Sequence, residues 1–380
     1  MLQHHVRWPR VFFLAAFVAF PGRAGADDTV IPSTDVKPLE YWIEQLDSDQ
    51  FLQRQTASQR LLNFGDEAVQ PLANVATRGQ LELTERAIAV LQLLAIKQTP
   101  DDESGAYGAL AKLVEQGGGS ASLRARSSME VIRREREQQA IERLSNAGVK
   151  LGFREFVIDS RSMNENLVLI DSNWNGDLEA LRWLKWISGV AYGVVQGTAV
   201  NHDVIESLVR MPDLRTVVIR EAKIDSDIFT PLSKMMRIDE LEFRYVPLTP
   251  SDAEKIATLP IRVQLGLMGT NLPLESAKML RETMPGLNIV YKQGGFLGVK
   301  CNNFSPVCQI DSLVDGGAAQ RAGLEPGDVI ERIDGVRIAK FEDLQMQIGS
   351  HLPEDEIEIE YDRRGEKSKV KLKLMRMATE

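Results

Sequence analysis

Outside its first 26 residues the chain carries two histidines, His202 and His351, and two cysteines, Cys301 and Cys308. A serine triad needs a histidine base, an acid to orient it and a serine on a tight glycine-rich turn. No Gly-x-Ser-x-Gly occurs, and Gly118-Gly119-Ser120-Ala121 reads as a loop without a partner base. A zinc site would need ligand spacings that are missing: there is no His-Glu-x-x-His, and the two cysteines stand alone. Neither a P-loop nor a dinucleotide fingerprint is present. Asp225 and Asp227 fall at a repeat turn, where acids cap helices. The side chains therefore predict no enzyme, no metal and no cofactor. The chemistry on offer is that of the main chain, at Gly295-Phe296-Leu297-Gly298-Val299. Gly298 has no Cβ, so a ligand can approach the backbone closely there.

The elements after this loop are short and well punctuated. Residues 317–322 form a helix of small residues stopped by Gly323. Pro326-Gly327 is a turn, 328–333 is an apolar strand, and Asp334-Gly335 joins it to Val336 and Ile338 as a hairpin. Residues 341–352 have helical spacing, with Leu344 and Ile348 on one face. A last hairpin centred on Arg364-Gly365 pairs Glu360 with Lys369, Glu358 with Lys371 and Glu356 with Lys373. Ile359 then meets Val370, and Ile357 meets Leu372, on the other face. Each opposed charge pair adds about 0.2–1 kcal/mol, a solvated ladder with a structural role.

The Phe-Leu-Gly-Val loop, followed by Gly317-Ala318-Ala319-Gln320-Arg321-Ala322-Gly323-Leu324-Glu325-Pro326-Gly327-Asp328-Val329-Ile330, closely resembles the PDZ domain of secreted bacterial proteins. The resemblance spans about residues 294–375. Gly316-Gly317 stands where that family usually has Ser-Pro. The resemblance implies that loop amides receive a chain-terminal carboxylate and that the peptide continues as an added strand along Val299, Lys300 and Cys301. Its last side chain would meet Phe296, Leu297 or Val299 and the helix face of Leu344 and Ile348. The expected peptide-binding set is Phe296, Leu297, Gly298, Val299, Lys300, Cys301, Leu344 and Ile348. Partners would be peptide or protein C-termini. Many trypsin-like exported proteases carry such modules, so the alternative is an accessory or regulatory subunit of an envelope protease system.

Residues 1–26 read as an export signal: Arg7 and Arg10, an apolar run over 11–20, then the cleavage pattern Ala24-Gly25-Ala26. That run is too short for a spanning helix, which needs about 20 residues, so no membrane span is expected after cleavage. The expected location is periplasmic or secreted. Removing Arg7, Arg10 and Arg23, and no acid, takes the formal charge from −9 to −12. Such a balance disfavours nucleic acid, where phosphate neutralisation dominates affinity. In an exported chain Cys301 and Cys308 favour a disulfide; a pair of core thiols is the other reading.

The middle of the chain repeats every 24 residues. Leu184, Leu208, Leu232, Ile256 and Leu280 share one register, and Val195, Ile219, Phe243, Leu267 and Tyr291 another. The pattern resembles leucine-rich repeats of the bacterial exported type, a strand, a turn and a helix per copy. Gly193 and Arg262 occupy positions that belong to apolar residues. The alternate strand positions, among them Val194, Val218, Arg220, Glu242, Arg244 and Gln264, are mixed in charge and read as a solvated face. Trp174, Trp183 and Trp186 crowd the repeat start and read as a core cap. Residues 37–146 look all-helical, with runs at 39–46, 51–64, 68–77, 82–96 and 123–145. Arg54 with Ala57 and Leu61, and Arg86 with Ala87 and Leu91, resemble HEAT-type repeat helices, and the Arg- and Glu-rich run at 123–145 reads as a solvated face with internal pairing.

The expected fold is thus multidomain α+β. A signal peptide (1–26) precedes a HEAT-like α-helical region (27–148) and a leucine-rich-repeat α/β solenoid (149–292). A PDZ-like, partly open β-barrel with two helices (293–380) follows. The expected function is that of an exported, non-enzymatic protein-interaction scaffold.

Overall fold

The computed structural model describes residues 37–78, 80–98, 105–116, 119–158, 161–301 and 305–377. The export signal, with Ala24 and Ala26, lies outside them. No helix among the described residues is long and apolar enough to cross a membrane.

Six helices come first: α1 Leu39–Gln45, α2 Phe51–Phe64, α3 Val69–Arg78, α4 Leu81–Lys97, α5 Ala106–Glu115 and α6 Gly119–Asn146. Five lie where apolar spacing predicts them, and α5 was hidden by its glycine and its short length. Their buried stripes, such as Leu61, Leu72, Leu91, Leu110 and Ile132, form one cluster. The Arg- and Glu-rich α6 is not simply a solvated helix. Its Arg136 is 1% exposed, donates from Nη2 to Ala95 O at 2.6 Å, and stacks 4.4 Å from the Trp186 ring centre. Tyr107 meets Trp186 edge-on at 5.2 Å. The tryptophans therefore weld α6 to the next core, in which Trp183 and Trp186 are buried.

That next core lies under a seven-stranded sheet whose strands follow one another in chain order. Its elements are β1 Lys150–Ile158, β2 Arg161–Ile170, α7 Leu178–Leu181, β3 Tyr192–Gln196, α8 His202–Leu208, β4 Thr216–Arg220 and α9 Phe229–Ser233. They continue with β5 Ile238–Arg244, α10 Pro250–Ile256, β6 Ile261–Met268, α11 Leu274–Thr283 and β7 Asn288–Lys292. β1 and β2 form an antiparallel hairpin, and β2 to β7 run parallel. The 24-residue period is the pairing register: Tyr192 opposes Thr216, which opposes Glu240, which opposes Gln264, which opposes Asn288. The same period recurs in the backbone just past the strands. Gly197, Glu221, Tyr245 and Gly269 all have positive φ, between 52° and 64°. The last three donate their N–H to Arg244 O, Met268 O and Lys292 O.

The two misfit repeat positions have separate explanations. Gly193 lies against Leu208 and Leu214, each 3.0 Å from where a Cβ would stand, so a side chain there would need both leucines to give way. At Arg262 the ladder shifts: Ile238 pairs with Ile261, then Glu240 with Gln264. This irregularity seats Ile261 inside and leaves Arg262 exposed.

The face away from the helices corrects the sequence expectation. Val194, Val218, Arg220, Glu242, Arg244 and Gln264 are buried, not solvated. Phe156, Ile158, Leu167 and Leu169 of the β1–β2 hairpin form a second apolar cluster with Val194 and Val218. At the other end Met377 lies on Arg244, whose Nη1 is 3.6 Å from its sulfur. Arg244 is also ion-paired to Glu242 through Nε and Nη2.

The C-terminal part contains β8 Val299–Cys301, β9 Ile310–Leu313, α12 Ala318–Arg321, β10 Val329–Ile333, β11 Val336–Arg337, α13 Phe341–Gly349, β12 Glu356–Arg363 and β13 Glu366–Lys373. They form a four-stranded sheet, β11-β10-β12-β13, and a separate β8-β9 pair. Isolated bridges join Phe296 to Met375 and Gln309 to Val329, and among the described residues no continuous strand pairing closes a barrel. The predicted final register holds residue for residue, Glu356 to Lys373 through Glu360 to Lys369. Both hairpin turns, Asp334-Gly335 and Arg364-Gly365, have positive φ at both residues, as a two-residue turn matching strand twist requires.

Candidate peptide-binding site

The loop before β8 is fixed from three sides. Phe296 exchanges both main-chain bonds with Met375, at 2.8 and 3.0 Å; Leu297 O accepts from Ala319 N; Gly298 O accepts from Val314 N. Among the described residues the N–H groups of Leu297 and Gly298 donate to no main-chain carbonyl. β8 pairs with β9 on one edge, Val299 to Leu313 and Lys300 to Ser312. Its other edge has no strand beside it among the described residues.

Two glycines make this geometry possible. Gly298 has φ +82°, and a Cβ on it would lie 3.2 Å from Gly317 Cα. A Cβ on Gly317 would in turn meet Val314 O at 2.9 Å. Gly317 is thus a packing requirement at the start of α12, set by the Val314 carbonyl, and the sequence departure becomes legible as a fit to that oxygen.

The predicted side chains divide by burial. Leu297, Leu344 and Ile348 belong to the buried core of this part, Phe296 and Val299 are half-buried, and Lys300 is exposed. Cys301 and Cys308 come together, their sulfurs unbonded at 3.6 Å. The contact draws the Cys301 thiol below its ordinary range, and the same contact, with burial, pushes Cys308 up. Below the loop, Asp328 is buried and paired with Arg363 through two 2.8 Å bonds. Burial alone would raise the Asp328 carboxyl, but Arg363 and the Glu325 N–H outweigh it and hold it below the usual aspartate range.

Each histidine lies beside carboxylates. His202 Nδ1 is 3.1 Å from Asp203, and His351 lies 3.5 Å from Asp334 and 3.7 Å from Asp355. His202, Asp203 and Glu206 bring possible ligand atoms within 4.8 Å; the spacing of His202 and Glu206, four apart on α8, is the sequence signal for it. Glu206 is already paired with Lys234 at 3.0 Å.

The site is tied to the seven-stranded sheet. Tyr245 Oη donates to Gly294 O at 2.8 Å and accepts from Met377 N at 2.8 Å. Gln293 N–H donates to Gly349 O and Gly295 N–H to His351 O, so the connection from β7 runs directly along the end of α13. Sequence spacing did not reveal this clasp, because Tyr245 looks like any repeat residue.

The family model of the PDZ domain matches residues 295–374. Similar solved structures include the HtrA-type protease AlgW with a decapeptide, at 21% identity and a TM-score of 0.23, covering 28% of this chain and 35% of that one. A serine endoprotease from Yersinia pestis is 16% identical over 28% of this chain and 36% of its own, with a TM-score of 0.22. The HtrA3 PDZ domain bound to a phage-derived ligand is 17% identical over 21% of this chain and 84% of its own, with a TM-score of 0.19. The chain spans about a third of the length of the protease structures it matches. No curated protein matches it.

Proposed function

We propose that this chain is an exported, non-enzymatic scaffold whose PDZ domain holds C-terminal or extended peptides by strand addition to β8. The observation that carries the reading is the unpaired edge of β8, next to two loop amides without main-chain acceptors. A terminal carboxylate would receive the Leu297 and Gly298 N–H groups, and the peptide would pair along Val299 to Cys301. With Leu297, Leu344 and Ile348 already buried, the last side chain would rest on half-buried Phe296 and Val299. Four main-chain bonds at about 1 kcal/mol each and one side chain at about 2 kcal/mol oppose ordering costs of about 1–2 kcal/mol per residue. The contact is therefore weak and exchangeable. In an oxidising compartment Cys301 and Cys308 would close a disulfide and stiffen the accepting strand. The helical and repeat regions would act as HEAT-like and leucine-rich-repeat supports within the boundaries expected above.

Peptide display against the full chain tests this reading. Selected peptides should end in a free carboxylate or pair as strands, and amidation should weaken the first class by at least tenfold, about 1.4 kcal/mol. If amidated and free peptides bind equally and no extended peptide protects β8 amides from exchange, the groove reading fails. Co-purification of an active protease would move the chain to the accessory role.

A further inference from the structure

The sheet face opposite the helices holds a cavity of about 340 Å³, separate from the β8 edge. Phe153, Phe156 and Leu169 supply its apolar wall, and Lys150, Arg154 and Arg220 its cations. Lys150 is already compensated, its Nζ 2.7 Å from Asp171. Arg154 is exposed at the rim.

Arg220 is different. It is 3% exposed, and its one hydrogen bond among the described residues runs from Nε to Gln196 Oε1 at 3.0 Å. No carboxylate among the described residues lies within ion-pair distance of it, although Glu221, Glu242 and Asp171 act on it through space. Each of these acids has another partner. Glu221 accepts from Gln196 at 2.7 Å, Glu242 holds Arg244, and Asp171 holds Lys150. Burial, then the neighbouring Arg244, lowers the Arg220 pKa. A buried guanidinium without an anion is costly, because its lost hydration is not replaced. Among the described residues its Nη groups carry no hydrogen bond, and they stand beside the cavity's apolar wall.

We propose that this cavity binds an amphipathic monocarboxylate, its apolar body against Phe153, Phe156 and Leu169 and its carboxylate on Arg220. The guanidinium fork matches a carboxylate through paired N–H bonds. One uncompensated buried cation suits one negative charge, and Glu155 on the lining opposes a second. The volume falls near the lower end of small-molecule pockets, which fits a short alkyl or single-ring acid.

The test uses the full chain, with octanoate as probe and octan-1-ol and octyl phosphate as controls, read by calorimetry and by hydrogen exchange. Octanoate should bind at least about tenfold tighter than either control and should slow exchange in β1 and β2. Arg220→Met should lower octanoate affinity by at least about tenfold while leaving octanol unchanged. Equal binding of octanoate and octanol overturns the proposal. So does tighter binding of octyl phosphate, unchanged octanoate affinity in Arg220→Met, or no binding at all. Should Arg220→Met fail to fold, Phe153→Ser decides, because Phe153 is 75% exposed and its loss spares the core. Several-fold weaker octanoate binding then supports the site, and unchanged affinity refutes it.

Discussion

Tyr245→Phe removes one oxygen and breaks the clasp between the sheet and the C-terminal strands. In the native chain that hydroxyl satisfies two main-chain groups at once, Gly294 O and Met377 N–H, each at 2.8 Å. Tyr245 and Met377 are both buried, so neither freed group gains full hydration. An unsatisfied buried donor or acceptor costs about 1–3 kcal/mol, and two such groups give roughly 2–6 kcal/mol against the closed clasp. The phenyl ring remains, so its packing on Gly269 and Gly294 is kept. Native-state hydrogen exchange of the Met377 amide measures this opening locally. Protection there should fall by at least about thirtyfold, the equivalent of about 2 kcal/mol, while amides of β4 and β5 keep theirs. Alkaline pH should imitate the mutation. Burial raises the Tyr245 pKa, and the Met377 N–H only partly offsets it. A raised folded pKa means the stabilisation is complete below the ordinary tyrosine value of 10.0. It is lost as pH climbs through the higher folded value, where a phenolate can no longer donate to Gly294. If Tyr245→Phe exchanges at Met377 like the native chain, the hydroxyl does not hold the joint and this reasoning is wrong.

Asp328→Asn should destabilise the PDZ domain by about 1.5–3 kcal/mol in urea melts, because two charge-assisted bonds from Arg363 lose their anion. The lowered Asp328 pKa gives the acid side its sign: stability is complete above the usual aspartate value of 3.8 and falls as pH drops through the lower folded value, a loss absent from the Asn variant. Gly298→Val should cost stability as well as peptide binding, by about 1–2 kcal/mol for the left-handed backbone alone, since Gly317 Cα stands 3.2 Å from the new Cβ; a native-like melting temperature would contradict this. Under oxidising conditions Cys301→Ser should speed amide exchange along β8 relative to the native chain, and equal exchange would show that no bond closes between the sulfurs.

What the sequence made legible was local chemistry. The Glu/Lys ladder, the Asp334-Gly335 turn and the 24-residue register all follow from alternation, turn residues or repetition, which act over a few positions. The structure departs from the sequence reading where two distant segments meet. Arg220, Glu242 and Arg244 alternate like a solvated strand face, yet the face is buried, because alternation says which side a residue takes and not what later covers that side. Arg136 looked like one more charge on a charged helix; its burial depends on Trp186, fifty residues away in the chain. Gly317 is readable only as a departure from a pattern until the Val314 carbonyl is seen against it. The free amides of Leu297 and Gly298 were expected from the loop's resemblance, but the burial of Leu344 and Ile348 required the whole core.

The joint constrains how any captured peptide is presented. The connection after β7 hydrogen-bonds to both Gly349 and His351 at the end of α13. Gly294, at φ +98°, sits so close that a Cβ there would lie 2.9 Å from both Gly269 Cα and the Tyr245 ring. No slack remains for a hinge at that point. A peptide added to β8 would therefore keep one angle to the seven-stranded sheet, and its free end would emerge in one direction from it. A flexible tether would raise local concentration without fixing orientation. This connection does the opposite, giving up the reach of a linker for a set geometry. That trade favours a partner, or a second ligand on the same chain, that must meet the captured peptide in a defined pose.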